Sequence, residues 1–277
     1  MQPRIPSTAF ADAWTKVDHT EDPGFFVNLL DATRVELLER ARREPETFFA
    51  SHALRPGLRV LDVGCGTGDM LRLIAPLVSP GRCVGVDLSE TMVAEAKRRA
   101  SEPSEHLSFQ LADAQALALD DASFDRVTAT QVLVHLPQPA AALSEFHRVL
   151  APGGILVIGE VDWPATGIES SNRELSRRFT QLASDGLRNG HIVREIAWLL
   201  QEAGFAEIRL SPEVTVAREA GAFQRWFIEP ALRHFIAIQA FTEIEATEFL
   251  ADLRHRSETG HYFLTRTSYS ITAVRPA

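Results

Sequence analysis

A chain of 277 residues with 45% hydrophobic content suffices for one core, and single cores stop growing near about 250–300 residues, so no second full domain is expected. Its 28 basic against 37 acidic residues leave a net charge of −9, the wrong sign for a phosphate-neutralising surface, so nucleic acid is not an expected partner. No apolar run reaches the roughly 18–20 residues that span a bilayer, the segment before Trp14 lacks the apolar stretch of a signal peptide, and Cys65 and Cys83 form neither a disulfide framework nor a metal-ligand pair. The expectation is a soluble, cytoplasmic chain without metal.

Residues 1 to about 50 read as helical, with Val35, Leu37, Leu38 and Ala41 as one apolar stripe. Leu58 to Val63 is a short strand that runs into a glycine cluster. Met70, Leu71, Ile74, Leu77 and Val78 then recur at helical spacing. Cys83 to Asp87 is a second strand, and Ser89 is positioned to cap a helix that ends on Lys97, Arg98 and Arg99, cations suited to a helix C-terminus. Leu107 to Leu111 and Phe124 to Thr130 are the next strands, Pro139 to Leu150 a helix, and Ile155 to Gly159 a fifth, strongly apolar strand.

Strands alternating with helices imply right-handed crossovers and a mostly parallel sheet. Runs such as VLDV and ILVIG are apolar on both faces, as strands covered on both sides should be. The predicted fold is a doubly wound α/β sheet. After Glu160 a helical stretch reaches about Gly204, followed by a short strand from Ala206 to Leu210. About fifty residues then read as helical and aromatic, before a last alternating strand from Tyr262 to Val274.

The stretch Val60-Leu-Asp-Val-Gly-Cys-Gly-Thr-Gly68 follows a strand and opens a helix, where a glycine-rich turn can hold a nucleotide. A dinucleotide fingerprint beginning at Gly64 would need glycine at position 69, which is Asp69. Asp62 and Asp69 bracket the loop and, without a counter-ion, would repel phosphate. They favour a ligand with ammonium or sulfonium charge, and S-adenosylmethionine carries both.

VLDVGCGTG followed by VGVDLS resembles the class I S-adenosylmethionine-dependent methyltransferases. The later pieces keep that family's order: Ala112-Asp113-Ala114, then SFDRVTATQVLVHL, then LAPGGILVIGE. The resemblance covers roughly residues 55–160. It implies a seven-stranded Rossmann-like sheet, S-adenosylmethionine as cofactor, S-adenosylhomocysteine as its product, and a small-molecule acceptor of the ubiquinone, menaquinone or natural-product kind.

Roles follow position by position. Gly64, Gly66 and Gly68 would let the backbone approach the cofactor, with Cys65 a small filler between them. Asp62 would attract the cofactor's amino group. Asp87, about 20 residues beyond the loop, would accept from both ribose hydroxyls. Leu88 would pack on adenine, Asp113 would accept from its amino group, and Ala114 would supply a backbone donor. Gln131 and Val132 would border the methionine portion.

Acceptor-side candidates lie just beyond the carboxyl ends of the fourth and fifth strands. They are His135 as general base, Glu160 as a second catalytic candidate, and Asp162 and Trp163 against the acceptor. His191, Phe223, Trp226 and Phe227 complete the set. On this reading residues 1–50 form an N-terminal flap and 51–277 a methyltransferase domain. That domain divides into a core at 55–160, a helical segment at 161–204, a helical cap at about 212–261, and the final strand at 262–274. The alternative is a protein of the same fold that binds S-adenosylmethionine without transferring methyl, and a nicotinamide oxidoreductase is disfavoured by Asp69. A homodimer stays open, as do the acceptor and the atom methylated.

Overall fold

The computed structural model describes residues 13–100 and 106–277. The first twelve residues of the expected flap therefore lie outside the described residues. Two 3-10 turns, Ala13–Thr15 and Val17–His19, lead into α1 (Pro23–Arg43). Pro23 opens this helix and the Asp22 carboxylate accepts from Phe25 N at 3.2 Å, a cap for an otherwise unpaired N–H. A short α2 (Pro45–Phe48) follows.

Strand and helix then alternate: β1 (Arg59–Val63), α3 (Asp69–Val78), β2 (Arg82–Asp87), α4 (Glu90–Arg99), β3 (Leu107–Leu111), β4 (Phe124–Thr130), α5 (Pro139–Val149) and β5 (Leu150–Val161). Ser89 caps α4, accepting from Met92 N at 3.2 Å. The remainder comprises β6 (Gly167–Ile168), α6 (Arg173–Asp185), α7 (Ile192–Glu202) and β7 (Ala206–Ala217). A turn of π-helix (Gln224–Ile228), α8 (Glu229–Ala237), α9 (Glu243–Glu258) and β8 (Leu264–Val274) close the chain.

The sheet runs β3-β2-β1-β4-β5-β8, parallel from β3 to β5, with β8 antiparallel to β5 and β7 antiparallel to β8. The strand order reverses between β1 and β4, so a crevice opens at their carboxyl ends, where ligands bind in open α/β sheets. The main core lies between the sheet and α5 and α7, centred on Leu61, Val127, Phe146, Leu156 and Ile196. A second core under α3 and α4 includes Val60, Leu71, Ile74 and Phe109.

The α/β class and doubly wound order match the sequence reading; three details differ. An eighth strand exists: β6 pairs with the start of β8, too short at two residues for any pattern to reveal. The strand read as Ala206–Leu210 continues to Ala217, so the helical cap begins later than position 212 and occupies Gln224–Glu258. That cap has its own core, in which Phe235, Phe241 and Phe249 pack with Leu175 and Phe179 of α6. Finally, the α1 stripe is rotated: Val35 is 48% and Leu37 36% exposed, while Phe25, Phe26, Leu30, Leu38 and Ala41 are buried.

Candidate functional site

One cavity opens at the carboxyl edge of the sheet, and most of the predicted cofactor residues line it: Gly64, Gly66, Asp87, Leu88, Asp113, Ala114, Gln131 and Val132, together with His135. Each is delivered by the turn that follows a parallel strand. β1 ends in the glycine loop, β2 in Asp87, β3 leads to Asp113, and β4 to Gln131. The loop is shaped for close approach. Gly64 has φ +65°, and a Cβ there would run into the Val132 side chain. A Cβ on Gly68 would stand 2.6 Å from the Phe109 ring.

Asp87 braces this loop. Its Oδ2 accepts from Gly66 N at 2.8 Å and its Oδ1 from Ser89 N at 3.0 Å, leaving each oxygen with further acceptor capacity. Burial raises its pKa, against these two bonds and the nearby Arg34 charge. Leu88 beside it is 45% exposed despite its size. Asp113 Oδ1 accepts from Gln115 N at 2.9 Å, an Asx turn that fixes the carboxylate at the cavity wall. Gln131 sits at φ +55°, an uncommon conformation for a side-chain-bearing residue, with its N–H donating to Gly159 O at 2.7 Å.

Other predicted residues stand outside the cavity wall. Asp62 is 5% exposed behind the glycine loop, accepts from Thr128 Oγ1 at 2.7 Å, and burial pushes its pKa up to about 6. Cys65 turns into the core beneath α3 and α4, and burial keeps its thiol protonated. Gly68 begins α3.

Glu160 is 1% exposed, and its Oε1 accepts from the backbone N–H groups of Val132, Leu133 and Val134 at 3.0, 2.8 and 3.4 Å. It holds the loop that carries Gln131, Val132 and His135 and is not itself in the cavity wall. Burial pushes its pKa up to about 8.

His135 does line the cavity, 5.7 Å from the Trp14 ring, but burial pushes its pKa down to about 3. The imidazole is therefore neutral near pH 7 and a weak proton acceptor, which counts against the general-base role expected of it. Its Nδ1 is buried with no hydrogen-bond partner among the described residues.

The acceptor-side residues divide further. Asp162 is paired with Arg194 at 3.1 Å. His191 is a surface residue 3.6 Å from Asp185 and is not among the residues that line the cavity. Trp163 stacks on Phe227 at 4.8 Å, Phe227 on Phe223 at 4.7 Å, and the Arg266 guanidinium lies 4.6 Å from the Phe223 ring centre. This aromatic stack joins the sheet core to the cap core. Trp226 instead meets Phe25 of α1 at 5.7 Å, so cap and flap touch.

The expected flap, in which Trp14, Phe25 and Phe26 were to fold over the cofactor, reaches the cavity through Trp14 and through residues not singled out in the sequence. Trp14, Val17, Leu30 and Arg34 line the cavity. Arg34 was detectable in principle, because Leu30, Arg34, Leu38 and Ala41 share one helical face and three of these four are buried and apolar.

A doubly wound sheet with a glycine turn after β1 and an acid ending β2 defines a Rossmann-like enzyme that holds a nucleoside cofactor. The family described as "Methyltransferase domain" matches residues 61–158. A demethylmenaquinone methyltransferase of Symbiobacterium thermophilum is 40% identical over 186 residues, covering 58% of this chain and 73% of that protein. An uncharacterized 37.1 kDa protein in transposon TN4556 of Streptomyces fradiae is 44% identical over 170 residues, 61% of this chain; the match spans about half (49%) of that relative's length. The [4+2]-cyclase SpnF shares the fold over 100% of this chain and 98% of its own, with a TM-score of 0.58 at 23% identity. The chain belongs to the class I S-adenosylmethionine-dependent methyltransferases, and S-adenosylmethionine is the cofactor of that family. The donor set fits it: a carboxylate with spare acceptor capacity beside an exposed apolar side chain, with a cation and further acids near the glycine loop. No helix of the described residues is long and apolar enough to cross a membrane.

Proposed function

We propose that this chain transfers the methyl group of S-adenosylmethionine to an O, N or C atom of a small apolar or aromatic metabolite. The observation that carries the reading is that one cavity joins Gly64, Gly66, Asp87, Leu88 and Asp113 to Trp14 and His135. Asp87 would accept from the ribose hydroxyls, Leu88 would cover one adenine face, and Asp113 would receive the adenine amino group. Asp62, close behind the loop, would act on the ammonium through charge. When bound, the cofactor supplies an electrophilic methyl on a sulfonium, so no covalent enzyme intermediate is required.

What remains for the protein is alignment and exclusion of water. Trp14 and Val17 form the roof, and Gln131, Val132 and His135 are held in place by Glu160. With the basicity of His135 lowered by burial, the reading favours an acceptor that is nucleophilic as it arrives, such as an electron-rich ring carbon, an ionised oxygen or a free amine. The stack of Trp163, Phe227 and Phe223 lies outside the cavity wall, where it joins the two cores, so the apolar lining for an acceptor comes from Trp14, Val17, Leu30 and Leu136. The net charge of −9 favours such a metabolite over nucleic acid, in keeping with a cytoplasmic enzyme of specialised metabolism.

The test is incubation with trideuteromethyl-labelled S-adenosylmethionine and a metabolite extract, read by mass spectrometry, with Asp87→Ala as control. A labelled product made only by the wild type is expected. Equal product from the variant would remove Asp87 from the cofactor site. Tight S-adenosylhomocysteine binding without any labelled product would argue for binding without transfer.

A further inference from the structure

We propose that Asn189 is a positioning residue for the acceptor end of the cavity, gripping the turn Leu133–His135 and so fixing where the His135 imidazole stands. The inference rests on the reading of the cavity as a methyl-transfer site. It assigns a residue from outside the cavity wall, in the connection between α6 and α7.

The loop after β4 brings Gln131, Val132, His135 and Leu136 to the cavity. Its middle, Leu133 and Val134, is shut away from solvent at 0% and 1% exposure, so the backbone polar groups there need partners within the protein. Glu160 takes the N–H groups of Val132, Leu133 and Val134. The carbonyl side goes to Asn189. Its Nδ2 donates to Leu133 O at 2.8 Å and to Leu136 O at 2.7 Å, and its backbone N donates to Val134 O at 3.0 Å. Two of these carbonyls belong to the residues on either side of His135.

An asparagine amide carries two N–H donors on one short arm, which matches two carbonyl oxygens one turn apart. Aspartate, equal in size, would point oxygen at oxygen. The grip is itself anchored. Asn189 O accepts from Ile192 N at 3.0 Å where α7 begins, and a Cβ on the adjoining Gly190 would collide with the Ser184 carbonyl, so the connection lies close against the end of α6. Farther back in α6, Leu175 and Phe179 pack in the cap core. The helix that seats the cap thus leads, through a short turn, to the residue that seats His135. Methyl transfer tolerates little misplacement of the reacting groups, and a turn held along both polar edges keeps the cavity wall in register.

In the full chain with isotope-labelled histidine, the His135 ring signals at neutral pH, assigned by their loss in His135→Asn, read the position of the imidazole beside the Trp14 ring. Asn189→Ala and Asn189→Asp are expected to move these signals. Asp125→Ala, which breaks the bonds from Arg59 at the amino end of β1 and β4, should leave them in place. In the labelled-methyl assay at saturating S-adenosylmethionine, Asn189→Ala should slow product formation on the order of tenfold with little change in the cofactor KM. Unmoved His135 signals in both Asn189 variants would overturn the proposal, whatever their loss of stability. So would an equal movement in Asp125→Ala, the sign of general loosening, or moved signals with an undiminished rate. Moved signals in the Asn189 variants, with no labelled product even from wild type, would uphold the grip and defeat the methyl-transfer reading instead.

Discussion

The hydroxyl of Ser89 donates to Asp18 Oδ1 at 2.8 Å, joining residues 71 positions apart in the chain. Asp18 also accepts from the backbone N–H groups of Glu90 at 2.7 Å and Thr91 at 3.1 Å. Ser89 and Asp18 thus share the free N–H groups that begin α4, directly after Asp87. The segment with Trp14 and Val17 is clasped at the point where the cofactor's ribose would sit.

Removing that clasp should loosen the roof. Burial works to raise the Asp18 pKa, but the bonds from Thr91, Ser89 and Glu90 outweigh it and hold the carboxyl below its ordinary 3.8. A depressed acid stabilises the fold above its unfolded pKa and loses that contribution as pH falls through the folded one. Asp18→Ala should therefore lower stability by about 1 kcal/mol at pH 7, with the gap closing below about pH 4. It should also weaken S-adenosylhomocysteine severalfold. Denaturant unfolding and calorimetry check both, and a variant matching wild type at pH 7 in both would show that the clasp contributes nothing.

The parallel half of the fold was legible because strands buried on both faces read as apolar runs and end on turn residues. β7 was misread for a definable reason. Ile208, Leu210, Val214 and Val216 alternate with Glu207, Arg209, Ser211, Glu213 and Thr215 through its whole length, but Pro212 looks like a terminator. Pro212 pairs with Tyr269 in β8, and among the described residues no strand pairs with β7 on its other side, where a missing N–H breaks no ladder. The glycine loop, Asp87 and Asp113 were readable from order and spacing. Asp18 was not, because its meaning depends on where the leader of α1 lands on the core. The roles of His135 and Glu160 were obscured because burial, which sets their protonation, is a tertiary property.

Glu160 tests that last point. Its folded pKa of about 8 stands above the ordinary 4.5, so its protonation favours the fold below 4.5, and this contribution is lost as pH rises through 8. Glu160→Gln keeps an acceptor for Val132 and Leu133 and cannot ionise. The variant should gain on wild type in urea unfolding between pH 6 and pH 9. Glu160→Ala strands those N–H groups and should lose about 2–3 kcal/mol. Parallel pH profiles for wild type and Glu160→Gln would contradict the assignment.

Asp62 sets a pH dependence on cofactor binding. With a pKa raised to about 6 in the free protein, it is largely protonated at pH 5 and becomes charged by pH 7. Attraction to the cofactor's ammonium needs the charged form, so S-adenosylhomocysteine affinity should rise across that interval, by up to about tenfold per pH unit below 6. Asp62→Asn should bind more weakly at pH 7 and show a flatter profile. A wild-type affinity constant from pH 5 to 7 would remove Asp62 from the ligand's field.

His135 carries the sharpest chemical expectation. An imidazole with a pKa near 3, set by burial between the cavity and Trp14, does not gain a proton across the physiological range. In an NMR titration of the side chains, the His135 signal, assigned by its loss in His135→Asn, should hold steady from pH 8 to about pH 4.5, whereas a histidine of ordinary pKa moves near 6.5. An inflection between pH 6 and 7 would restore His135 as a base. A flat trace makes it a neutral hydrogen-bonding group with Nδ1 available to the acceptor, and then His135→Asn should slow methyl transfer without adding a limb to the pH profile.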